Sequence, residues 1–114
     1  MTFYHFTCDH GRQNIGKHGL ILPNPRTGFA WFTDLANPCR EALGLTSHTL
    51  TCDRMKWRYR VTDATAIRPY RELVDPLTAA ALATSRVIGG QPDNWFVAAQ
   101  PVPARLMLGQ RVAA

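Results

Sequence analysis

One run of this chain leaves little freedom about its local structure. From Met55 to Thr62 the residues alternate, with Trp57, Tyr59 and Val61 on one side and Lys56, Arg58, Arg60 and Thr62 on the other. A two-residue period of this kind marks a β-strand with one buried and one wet face. It demands a sheet to pair with, a core for three large apolar side chains, and solvent or an anion for the cations.

The partner strands are found in the aromatic runs. Thr2 to Thr7 and Phe29 to Thr33 read as strands. Asn94 to Ala98 and Arg105 to Leu108 are two more, joined through Pro101-Val102-Pro103. Proline cannot donate to a ladder, so that passage is expected at an edge and not in the centre of a sheet. Asp9 to His18 reads as a short helix with Thr7 or Asp9 as its cap and Gly19 as a left-handed stop, weakened by Gly11 and Gly16. Leu20-Ile21-Leu22 then packs inward before a turn around Gly28. A second helix follows Asp34 or Asn37, with Pro38 in its first turn and Gly44 as its stop. Thr46 to Thr51 forms a short strand or a loop. The strongest helical stretch is LTAAALATSR, capped by Asp75 and ended by Gly89-Gly90. The expected product is a compact α+β domain over residues 1–114, with five or six strands and two or three short helices.

Composition narrows the setting. With 114 residues and a hydrophobic share of 46%, the chain can build one real core. No apolar run reaches the ~18 residues of a membrane span, and nothing after Met1 has the shape of a signal peptide, so a soluble cytoplasmic protein is expected. Cys8, Cys39 and Cys52 are too few and too far apart for a disulfide scaffold. A formal charge of +5 favours an anionic partner: a phosphorylated cofactor, a nucleic acid or an acidic protein surface.

Several chemistries find no support. There is no GxGxxG and no GxxxxGK[ST]. Cys8-x-His10 is the one tight metal-ligand pair, and no second pair answers it. No cysteine stands beside a histidine in a nucleophile's frame. The cations Arg54, Lys56, Arg58 and Arg60 alternate with Trp57 and Tyr59, which places charges and rings on opposite faces and argues for a solvated strand face, not a stacking surface. Phe29-Ala30-Trp31-Phe32-Thr33 puts two large rings on opposite faces, so one leaves the core side unless both faces are covered. His5 shares a face with Phe3 and Thr7, while Tyr4 and Phe6 point the other way. If Tyr4 and Phe6 fill the core, His5 faces a cleft or solvent; the alternative reading is a surface or partly buried structural histidine.

Tyr4-His5-Phe6-Thr7, then a helix ending in His18-Gly19-Leu20, then Ala30-Trp31-Phe32-Thr33, occur in an order that resembles the ADP-ribosyltransferase superfamily. Its first strand carries a histidine in a pattern like YHxT. The tail NWFVAAQPVPARLM is similar to the ending of the branch with the tRNA 2'-phosphotransferases and the rifampicin ADP-ribosyltransferases. The resemblance implies an ADP-ribosyltransferase-like fold with a split antiparallel or mixed sheet, and NAD as cofactor. It also implies transfer of ADP-ribose to a macromolecular acceptor, protein or nucleic acid. His5 would hold a ribose of NAD, with Thr7, Trp31, Phe32 and Thr33 around the cofactor. The superfamily's acid is a Glu or Asp near a late strand, where this chain offers Asp93 and no glutamate. Arg12, His18, Arg58 and Arg60 are the residues available to grip a 2'-phosphate. Two other readings stand beside this one: a non-catalytic basic module or phage-type inhibitor that docks on an acidic protein, and a small RNA- or DNA-binding domain.

Overall fold

The computed structural model describes residues 1–43, 53–73, 80 and 89–107, and only the backbone of Lys17, His18 and Glu41. Seven strands form one sheet: β1 (Tyr4–Thr7), β2 (Leu20–Ile21), β3 (Ala30–Thr33), β4 (Trp57–Val61), β5 (Arg68–Pro69), β6 (Trp95–Ala98) and β7 (Val102–Leu106). Their order is β2-β7-β4-β1-β3-β6-β5, and each pairing is antiparallel. The two edge strands are two residues long, and one carries Pro69, which leaves little free edge for another chain to pair with.

Cross-strand partners share a face, so the register sorts the side chains. Ile21, Ala30, Phe32, Tyr59, Ile67, Phe96, Ala98 and Val102 form one buried cluster on the inner face. That cluster takes Ile21 from one edge and Ile67 from beside the other, which requires the sheet to curl around it. The helix α1 (Asp9–His18) closes the inner face through Ile15, 6% exposed. Cys8, and neither Thr7 nor Asp9, occupies the N-cap position of α1, and its side chain makes no capping hydrogen bond. Gly19 ends it at φ 64°, its N–H donating to the Ile15 carbonyl, a conformation that glycine adopts without a Cβ penalty.

This arrangement corrects the expected fold. The sheet is one continuous seven-stranded antiparallel structure, not a split sheet of five or six strands. The stretch after Asn37 forms a 3₁₀ turn, Glu41–Leu43, in place of a helix. Two more 3₁₀ turns, Tyr70–Leu73 and Pro92–Asn94, flank β5 and β6. Among the described residues α1 is the one complete α-helix. The segment Thr46–Thr51 and, apart from Ala80, the helix expected over LTAAALATSR lie outside the described residues.

The proline passage is corrected as well. β7 pairs with β2 on one side and β4 on the other, so it is an interior strand. The Pro103 carbonyl accepts from Thr62, just past the end of β4, so the missing N–H falls where the ladder is already ending. Val102 beside it is 0% exposed. No helix among the described residues is long and apolar enough to cross a membrane.

Candidate functional site

The pairing Tyr4↔Thr33 is the one registered bridge between β1 and β3, whereas β1 and β4 share four pairs from Tyr4↔Arg60 to Thr7↔Trp57. Where the β1–β3 ladder stops, a side chain continues it. His5 Nδ1 lies 2.7 Å from the Trp31 carbonyl oxygen, across to β3. A carbonyl only accepts, so Nδ1 carries the proton and donates. Burial lowers the pKa of His5 below its ordinary 6.5, opposed in part by the Trp31 bond. The ring is therefore neutral at pH 7, with its lone pair on Nε2. His5 pairs with Tyr59 and stands 5.6 Å from the Phe32 ring, which places it on the inner face with the core. Tyr4 and Phe6 point to the outer face instead.

The other residues singled out in the sequence divide between the two faces. Phe32 is beside His5 but only 4% exposed, so its ring is largely packed away. Thr7 is buried under α1, where a Cβ on Gly11 would run into its hydroxyl. Trp31 pairs with Val97 on the outer face and packs on Tyr70, ring centres 4.8 Å apart, with Trp95 beyond. Both faces of β3 are thus covered, the outer one by the Tyr70–Leu73 turn. Thr33 is 1% exposed and accepts the Leu35 N–H at 3.1 Å. Asp93 lies exposed in the turn before β6, 3.9 Å from Arg71, while its neighbour Asn94 donates to Asp34 at 2.8 Å. His5, Phe32 and Thr7 therefore share the inner face. Trp31 and Thr33 lie on the outer one, and Asp93 is at the sheet's end.

The cations part in the same way. Arg12 extends from α1 and lies 3.9 Å over the Trp57 ring, while Arg58 and Arg60 stand on the outer face of β4. They do not gather into one phosphate grip, and the His18 side chain lies outside the described residues.

A cavity of about 530 Å³ opens on the inner side between α1 and strands β4 and β7. Arg12, Ile15, Gly16, Tyr59, Ala104 and Leu106 are among its walls. Its size suits a small ligand, with apolar walls and two cations, Arg12 and Arg105, in its lining. Tyr59, the cross-strand partner of His5, stands between this cavity and the histidine, which is not among the cavity's walls. Burial raises the Tyr59 pKa and the Arg12 charge opposes that rise, so the phenol stays protonated at neutral pH. The alternation along β4 assigns Tyr59 to the core and gives no sign that it also lines a cavity. Gly16 and Gly19, on the same wall, read in the sequence only as helix breakers. Comparisons with protein families, with curated proteins and with solved structures return no match for this chain.

Proposed function

We propose that this chain binds NAD on the inner face of its sheet and transfers ADP-ribose to a macromolecular acceptor, as the ADP-ribosyltransferases it resembles do. The observation that supports this reading most is the fixed tautomer of His5. With Nδ1 donating to Trp31 and the ring neutral, Nε2 is an acceptor suited to a ribose hydroxyl. Arg12 at the neighbouring cavity suits the diphosphate, and the apolar wall of Ile15, Ala104 and Leu106 suits a planar base.

When bound, NAD supplies a C1'–N bond whose electron pair leaves with nicotinamide while the acceptor's nucleophile attacks the anomeric carbon. An enzyme aids this step by orienting the acceptor and stabilising the positive charge that builds on the ribose. His5 serves the first of these tasks by holding the ribose. Asp93, the acid that the resemblance implies, stands apart in the turn before β6, so this reading rests on His5 for binding and assigns no carboxylate to the chemical step.

Incubation with labelled NAD, alongside a calorimetric NAD titration, tests it. Wild-type protein is expected to bind NAD and label a macromolecular acceptor. His5→Ala is expected to lose binding, and labelling with it, while keeping its circular dichroism. Neither binding, transfer nor hydrolysis by a folded wild type would sink the proposal.

A further inference from the structure

The outer face carries a feature that the NAD reading does not use. Tyr4 of β1 stands directly opposite Arg60 of β4, and Arg60 stands directly opposite Arg105 of β7. These three side chains form a straight row across three adjacent strands, spanning about 10 Å at the usual strand spacing of about 4.8 Å. Arg60 and Arg105 are exposed, and neither meets a carboxylate among the described residues. Like charges placed directly opposite each other in a sheet destabilise it, so this pair is costly to the fold. A recess of about 450 Å³ lies against both, walled also by Thr62 and Leu106.

Arg58 adds a third cation, fixed in place. Its Nη1 donates to the Ala36 carbonyl at 2.7 Å and to Asn37 Oδ1 at 2.9 Å. Its guanidinium lies 5.9 Å from the centre of the half-buried Tyr4 ring, and its Nε is buried without a hydrogen-bond partner among the described residues. The cations of β4 do face away from Trp57 and Tyr59. The ring that accompanies them comes from the neighbouring strand.

We infer that this row binds single-stranded nucleic acid, with phosphates on Arg60 and Arg105 and a base stacked on Tyr4. Cations that track a backbone, together with a ring that receives a base, are the two elements of sequence-tolerant single-strand binding. The ring favours nucleic acid because a base offers a flat face to stack on it, which an acidic side chain does not. Tyr4 and Arg60 stand on the face opposite His5, while Arg105 also borders the inner cavity, so binding is tested in the absence of NAD.

Fluorescence anisotropy with a labelled oligothymidylate of about 16 nucleotides, without NAD, tests it. Wild-type affinity is expected to fall linearly with log salt. The double variant Arg60→Gln/Arg105→Gln is expected to bind more weakly and to flatten that slope by about 1.4, or about 0.7 for each phosphate no longer neutralised. Tyr4→Ala is expected to weaken binding about 5- to 150-fold with the slope unchanged, while Tyr4→Phe keeps the affinity. Circular dichroism of each variant separates lost binding from lost fold. No binding by the wild type overturns the proposal. So does equal affinity for a polyglutamate peptide together with indifference to Tyr4→Phe and Tyr4→Ala, which would assign the row to an acidic protein.

Discussion

Gly11 and Gly16 lie on the same helix, α1, and replacing each by alanine should stabilise the protein at Gly16 but not at Gly11. Helix propensity alone favours alanine over glycine by about 1 kcal/mol at either position. A Cβ on Gly16 meets nothing within 4 Å, so Gly16→Ala should realise that gain. At Gly11 the added Cβ would collide with the Thr7 hydroxyl and sit 3.0 Å from Thr7 Cβ and 3.4 Å from Cγ2. Thr7 is β-branched and buried, so turning its side chain relieves only part of the collision, and α1 must lift away from β1. Overpacking of this kind costs about 1–3 kcal/mol, which cancels or exceeds the propensity gain. The two variants should therefore differ by about 1–3 kcal/mol in urea denaturation, with Gly16→Ala the more stable. Thr7→Ala combined with Gly11→Ala should recover much of the loss, because the colliding hydroxyl is gone. If Gly11→Ala stabilises the protein as much as Gly16→Ala does, the close seating of α1 on β1 is wrong.

His5 has a lowered pKa in the fold, so above its ordinary value of 6.5 both states hold it neutral and no stability is at stake. As pH falls below that value the unfolded chain takes up a proton that native His5 resists, and stability is lost until the lowered folded pKa is passed. The slope from this group is no steeper than about 1.4 kcal/mol per pH unit, the worth of one proton. His5→Asn, whose amide can still donate to the Trp31 carbonyl, should flatten the slope in denaturation measured from about pH 7 to about pH 5; an unchanged slope would contradict a neutral, partly buried His5. Val102 is fully buried between β2 and β4, so Val102→Ala should cost about 2 kcal/mol through lost burial and the cavity left behind. A destabilisation well under 1 kcal/mol would return this segment to the edge.

The strands are legible where side chains alternate. Residues Trp57 to Val61 show their period and their faces directly, and the register places Arg58 and Arg60 opposite the core as that period requires. The helix Asp9–His18 is legible from Gly19, since a left-handed stop is a local property. Neighbour relations are not legible. Nothing in the local pattern says that Tyr4 will lie beside Arg60, so the β4 cations have no ring on their own side until the strands are paired. Pro103 misleads for a related reason: its missing N–H points past the end of β4, and that depends on where another strand stops. The same limit explains the site. His5 reads equally as a cleft residue or a structural one until its face is known, and only the pairing with Tyr59 and the bond to Trp31 decide its orientation. Alternation does separate Trp31 and Phe32 onto two faces, but the covering of Trp31 by Tyr70 depends on a turn distant in the chain.

The orientation of His5 is the claim on which the inner-face reading turns, and nitrogen-15 NMR of the histidine ring measures it directly. A neutral imidazole at pH 7 is predicted, with the proton on Nδ1 and a resonance of Nε2 that moves when NAD is added while Nδ1 keeps its proton. A charged ring, a proton on Nε2, or an Nε2 resonance indifferent to saturating NAD would contradict it.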